Sequence, residues 1–513
     1  MVGNKRCQDG TSRPILIMNK YILILTVLLV CGSLRAQVYS VDSILRVAQS
    51  AVDSVSQAEE NKKAEQLKIP DFSAPPRSRK SNTTTYRELD DDYLKEVENI
   101  IRQEELKKSV GTVMTLYKLR RYQEERKFHY DGIAYLIRGT YTTFTEKHFR
   151  DKEGLFRTSG SNLGEYGVAV VPLGASWAMR MAGVKAKSNT ERMLTANAIA
   201  LALSSGLTFG LKSAVNEKRP DGGKHSLPSG HCSLAFASAA ILDREYGYLS
   251  PWVTIGSYSF ATATQFLRYQ HNRHWINDTF MGAGIGMMAT NLAYFITDQM
   301  MKGKGIRQEE LTQAELLRNY HFIQQPSTFT LLTAMETGHT DIPSSSYTLP
   351  ADFNGTVNFS TGATFSAGME GSYFFNKHVG VEAMARMSSA QAKVSAVSLT
   401  SDVAELSGFN LDFYHLDAGL KLSANPIPSV RFGARVYAGG RFFVSENVAD
   451  IKMDRIFLTF PSEQCAEVGG GISIDMVRPT SKCLLGIYCD YNHSFSDLFT
   501  NRWVIGTTWR AVF

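Results

Sequence analysis

Two changes of pattern divide the chain. Near residue 110 a polar, charged stretch gives way to apolar runs, and after Pro326 a helical spacing of apolar positions gives way to alternation. Segments 113–122, 164–182, 190–215, 232–243, 252–269 and 275–295 are apolar for long enough to form helices. Several are rich in Ala, Gly, Ser and Thr, 190–215 above all, which lets neighbouring helices approach closely in water or in lipid. Charges within them, such as Arg180, Arg192 and Asp243, favour a bundle that is soluble or only touches a membrane, with partial embedding as the alternative.

Eight alternating stretches follow, at 327–334, 362–375, 378–386, 411–423, 429–443, 468–476, 484–492 and 501–513. Their length, two-sided alternation and many glycines and aromatics suit a small closed barrel. The expected fold is therefore multidomain: an all-α helical bundle over 110–310, then an eight-stranded antiparallel β-barrel over 325–513. A last strand ending in Phe513 resembles those of bacterial outer-membrane barrels. A soluble β-domain is the alternative, because alternation does not tell a lipid-facing side from a core-facing one.

The amino end changes the picture of where the chain resides. Lys20, the apolar run 21–30 and the small Ala36 read as a secretory signal over 1–36, with Met18 as a candidate start and cleavage after Ala36. Residues 37–109 read as a polar linker or partly helical region, with an exposed helix over 45–67. Leader and barrel together predict an outer-membrane protein whose bundle faces the periplasm. A net charge of +6 over 513 residues does not indicate a nucleic-acid partner. The six cysteines show neither a C-x-x-C pair nor metal-ligand spacing, although Cys465, Cys483 and Cys489 lie near enough in sequence to offer one disulfide.

Candidate chemistry is confined to three places in the bundle. Lys212 ends an apolar helix, with Arg219-Pro220 in the turn after it. Pro228-Ser229-Gly230-His231 opens the next helix, where backbone N–H groups and a histidine would welcome an anion. Arg268 is followed by His274 and Asp278, the last two one helical turn apart. Taken singly, each has a bland reading: Lys212 as a dipole partner, Arg219 as a solvated turn residue, Ser229 as a helix start, His274–Asp278 as a structural pair. Three basic groups, two histidines and a carboxylate within about seventy residues, all near ends of apolar helices, lift them above those readings and suit an anion. His225 reads as a rim residue, His271 as a loop residue without catalytic duty, and Lys218 and Arg273 as solvated or rim charges.

In this order and spacing the motifs resemble the type 2 phosphatidic acid phosphatase superfamily, which includes bacterial acid phosphatases and vanadium haloperoxidases. The resemblance covers roughly residues 110–300 and departs at Leu267, where the family usually has serine. It implies a metal-independent phosphatase acting on a phosphomonoester or pyrophosphate, with a lipid phosphate as the favoured substrate and no cofactor. It makes His274 the nucleophile, Asp278 its orienting carboxylate and His231 the general acid, then base. Lys212, Arg219, Arg268, Ser229 and Gly230 would bind phosphate. A vanadate-dependent haloperoxidase, or an anchored binding protein with an inactive bundle, are the alternatives.

Overall fold

A computed structural model describes residues 128–152, 155–158, 162–307, 327–338, 342–349, 355–398, 408–427, 430–449, 456–477 and 483–512. The secretory signal, the 37–109 region and the helix expected over 113–122 lie outside these residues. Seven helices come first: α1 (Ile133–Thr145), α2 (Lys147–Asp151), α3 (Asn162–Met181), α4 (Thr190–Val215), α5 (Gly230–Tyr246), α6 (Pro251–Gln270) and α7 (Ile276–Met300). The five longest agree with the apolar runs of the sequence. The first two were not expected, because residues 133–151 mix Arg, Thr and Tyr through their apolar positions.

Helix α5 is the axis of the bundle, buried along nearly all of its length. Its small residues, Ala235, Ala237, Ser238, Ala239 and Ala240, permit this, and the glycines of α7 complete the fit. A Cβ at Gly282 would stand 2.4 Å from the Ser229 carbonyl oxygen, and one at Gly286 2.2 Å from that of Ser233. Backbone cannot yield as a side chain tip can, so only glycine allows this approach. The same approach sets the start of α5 against the start of α7, where Ser229 donates its N–H to the Asp278 carbonyl at 3.0 Å.

The strands are β1 (Thr328–Gly338), β2 (Gly355–Thr361), β3 (Thr364–Phe374), β4 (Val379–Ser398), β5 (Phe409–Ile427), β6 (Val430–Phe443), β7 (Glu446–Ala449), β8 (Ile456–Phe460), β9 (Glu463–Val477), β10 (Cys483–Ser494) and β11 (Asn501–Val512). Eight of them close an antiparallel barrel in the order β1-β3-β4-β5-β6-β9-β10-β11, the last pairing back to β1 with Leu331 opposite Trp509. β2 is an extra strand on the far half of β4, and β7–β8 is a separate hairpin; both exceed the eight strands expected. β4 is long enough for β3 to pair with its first half and β2 with its second.

The barrel is polar inside and apolar outside. Arg386, His415, Lys421, Arg435, Glu467 and Arg502 are buried in its interior. Leu416, Leu420, Leu422, Val436, Ile472 and Trp503, at alternate positions, are exposed on its outer wall. Part of that wall is covered by the bundle. Leu331, Met335, Phe365, Trp509 and Ala511 join Phe236, Tyr258, Phe280 and Ala283 in one apolar core. The Tyr258 and Trp509 rings stack at 3.6 Å. The described cysteines are free thiols, so Cys465, Cys483 and Cys489 form no disulfide.

Candidate active site

The site gathers at one end of the bundle, where α4 finishes and α5 and α7 begin. Asn216 ends α4 in the left-handed conformation (φ 47°), which asparagine tolerates, and turns the chain towards Arg219. Lys212 donates to the carbonyls of His225 (2.7 Å) and Ser226 (3.2 Å), tying the first motif to the approach of the second. Arg219 opens a tight turn in which its N–H donates to the Gly223 carbonyl at 2.7 Å.

His274 and Asp278 form the centre. Both are buried, and the His274 Nδ1 lies 3.3 Å from Asp278 Oδ2. The same carboxylate oxygen accepts the Trp275 N–H at 2.9 Å and the Ser226 hydroxyl. A carboxylate held by donors from two chain segments cannot swing, so it fixes the imidazole with Nδ1 protonated and Nε2 carrying the lone pair. Burial, with the positive charges of Arg268, Lys212 and Arg219, holds this imidazole well below the ordinary histidine value. It therefore stays neutral at mildly acidic pH.

His231 is also buried, in the first turn of α5, and its ring lies against Tyr166 with centroids 3.6 Å apart. Arg268 is fully buried near the end of α6 and pairs with Glu165 at 2.5 Å. The second oxygen of Glu165 meets His271 Nδ1 at 2.7 Å. His271 thus shares a carboxylate with an expected phosphate ligand, which the sequence reading of it as an idle loop residue missed. His225 turns its ring to the Lys212 carbonyl at the exposed rim.

One expectation needs correction. Ser229 was expected to bind phosphate, in part through its backbone N–H at the helix start. Its N–H is engaged by the Asp278 carbonyl, its hydroxyl lies 3.5 Å from the Cys232 N–H as the α5 cap, and the residue has no exposure. The Ser229 N–H is thus unavailable to phosphate, which leaves the Gly230 N–H as the motif's helix-start donor.

Further residues could not be found by motif. Glu165, Tyr166, Ser226 and Glu217 come from scattered positions. Glu217 binds Arg150 at 2.5 Å and lies 3.3 Å from the Asn277 amide; burial and the Asp278 charge push its carboxyl up to about 7. Gln391 comes from the barrel, its amide nitrogen 3.2 Å from Asn272 Oδ1 and 3.4 Å from the His274 carbonyl. Among the described residues, no group of three His, Cys, Asp or Glu converges as a metal-ligand set.

The chain is 36% identical over 151 residues to a lipid A 1-phosphatase of Porphyromonas gingivalis, which covers 29% of this chain and 33% of that protein. The chain thus spans a third of the length of that relative. Among solved structures, LpxE of Aquifex aeolicus is similar to 26% of this chain and 87% of its own (18% identity, TM-score 0.22). The attachment invasion locus protein Ail of Yersinia pestis is similar to 36% of this chain and 98% of its own (13% identity, TM-score 0.21). Residues 194–301, which hold all three motifs, match the PAP2 superfamily. The chain carries a PAP2-superfamily phosphatase domain fused to a C-terminal eight-stranded antiparallel β-barrel.

Proposed function

We propose that the protein is an outer-membrane phosphatase that removes phosphate from a phosphomonoester or pyrophosphate of a lipid through a phosphohistidine. The observation that carries this reading is a charge imbalance at the site. Lys212 and Arg219 have no carboxylate partner among the described residues, yet their charges act on a buried, neutral His274. An oxyanion with several negative oxygens would balance them.

His274 Nε2 attacks phosphorus, forming an N–P bond as the P–O bond to the leaving group breaks. Asp278 keeps Nδ1–H in place and stabilises the positive charge that develops on the ring. His231 protonates the leaving oxygen. It then takes a proton from the water that cleaves the N–P bond, releasing inorganic phosphate and restoring His274. Lys212, Arg219 and Arg268 neutralise the nonbridging oxygens, and the Gly230 N–H adds a helix-start donor. The relative named for lipid A supports a lipid phosphate. The apolar outer wall and charged interior of the barrel support a place in the outer membrane.

The test is phosphate release from a generic phosphomonoester by the full chain in detergent. Turnover should continue in EDTA, stop with orthovanadate and be abolished in His274→Ala. Activity that survives His274→Ala overturns the assignment of the nucleophile.

A further inference from the structure

The side of the membrane on which the site opens can be read from how the bundle meets the barrel. The connections between barrel strands fall into two sets. Those at 375–378, 428–429 and 478–482 are short and share one end with the start of β1 and the finish of β11. Those at 339–363, 399–408, 444–462 and 495–500 are longer, two of them carrying β2 and the β7–β8 hairpin. In outer-membrane barrels short turns face the periplasm and long loops the exterior.

Helix α6 climbs the outer wall from the short-turn end to the long-loop end. At its beginning, the Cys483 thiol meets the Pro251 carbonyl at 3.2 Å, and the Trp252 ring lies 5.3 Å from that of Phe329, near the start of β1. At its finish, Tyr269 donates to the Ala363 carbonyl (2.9 Å) and Gln270 to Asp412 (2.7 Å), both beside long loops. Lys393, in the loop-side half of β4, donates to the Phe149 carbonyl at 3.0 Å. Arg268 and His274 belong to this second end.

The bundle also has the dimensions of a body within a bilayer. Twenty residues of α6 span about 30 Å at 1.5 Å per residue, the thickness of a hydrocarbon core. In α4, residues 193–211 are free of charge over about 28 Å, and Leu194, Leu207, Phe209 and Leu211 are exposed along them. Val170 and Val171 on α3 extend this apolar surface. The barrel wall likewise exposes Leu416, Leu420, Val436 and Ile472.

Resting on the outer-membrane reading above, we propose that the bundle lies in the same bilayer as the barrel, with its site at the outer leaflet. The periplasmic placement expected from the sequence is replaced by one facing the exterior. The site then meets the phosphorylated headgroups of outer-leaflet lipids, which reach it sideways past α3 and α4 while their acyl chains stay in the bilayer.

Single cysteines labelled on intact cells with a membrane-impermeant maleimide test this, each read against the unsubstituted chain. Lys224→Cys, exposed near the site, and Ser345→Cys, in a long loop, should label without permeabilisation. Lys185→Cys, exposed at the far end of the bundle, and Lys377→Cys, in a short turn, should label only after it. Lys218→Cys gives a second report from the site end should Lys224→Cys fail to accumulate. Protection of both site-end cysteines while Ser345→Cys labels overturns the proposal. So does labelling of Lys185→Cys on intact cells in which Lys377→Cys is protected. Labelling requires no turnover, so its failure is distinct from failure of the phosphatase reading.

Discussion

The interior of the barrel and the loop-side end of the bundle both concentrate charge in buried surroundings, and they treat it in opposite ways. In the barrel four buried cations, Arg386, Lys421, Arg435 and Arg502, have carboxylates beside them: Arg435 meets Asp490 at 2.5 Å and Glu370 at 2.6 Å, and Arg502 meets Glu336 at 3.0 Å. Such ion pairs need no ligand to balance them, and their work is to let a charged core fold. In the bundle Arg268 has Glu165, while Lys212 and Arg219 have no carboxylate partner among the described residues. A buried charge balanced in place is architecture; a half-buried one without a carboxylate suits the oxyanion proposed above.

The largest effect should come from deleting one cation of each kind. Arg435→Met strands Glu370 and Asp490 in the barrel and should cost about 3–5 kcal/mol of stability. That loss should appear as a lower melting temperature in detergent, with kcat/KM per folded molecule unchanged. Lys212→Met should leave melting nearly unmoved and lower kcat/KM by about 10²–10³, the scale of one lost oxyanion contact. It also removes a positive charge that depresses the His274 pKa. The imidazole then protonates at higher pH, so the acid limb of the residual kcat/KM should move upward. If Arg435→Met lowered the activity of folded molecules, or Lys212→Met acted on stability alone, the distinction would fail.

Glu217 sharpens the comparison, being a carboxylate pressed against another carboxylate. In the fold its pKa rises from 4.5 to about 7, so the folded chain holds that proton more tightly than the unfolded one. Its contribution to stability is therefore complete below pH 4.5 and is lost as pH rises to about 7, by at most about 3 kcal/mol. Glu217→Gln keeps the group neutral and should flatten the fall in melting temperature across that window. An unchanged slope would show that another group is responsible.

The sequence carried the three motifs, five of the helices and all eight barrel strands, because each rests on local pattern: fixed spacing, apolar period or alternation. What it could not carry depends on contacts between distant segments. Glu165 and Arg268 are one pair separated by more than a hundred positions, and nothing near Glu165 marks it. The contact of His271 with Glu165 was hidden for the same reason. The engagement of the Ser229 N–H was hidden because a serine at a helix start looks alike whether its N–H faces solvent or, as here, the Asp278 carbonyl. The face of the barrel that binds the bundle was also hidden, since Leu331 and Met335 have the same alternation as strand residues facing lipid.

The smallest effect expected is also the one that joins the two regions. Gln391 belongs to β4, and its side chain leaves the wall to reach the loop between α6 and α7. Its amide nitrogen lies within 3.4 Å of Tyr269, Asn272 and His274 oxygens, and its own N–H is 3.0 Å from the Tyr269 hydroxyl. Those contacts hold the backbone of His274, while Asp278 holds its ring. Gln391→Ala removes the side-chain contacts, about 1–1.5 kcal/mol of hydrogen bonding, and should lower kcat about tenfold as the imidazole loses its fixed position. KM should stay nearly constant, since Lys212 and Arg219 are untouched. The Gln391→Asn variant is one methylene too short to reach the loop and should behave like alanine. Because the same strand edge keeps its backbone pairing, barrel melting should not change. Full activity in Gln391→Ala would make the barrel an anchor alone; a loss confined to kcat would make its wall part of the scaffold that aims the nucleophile.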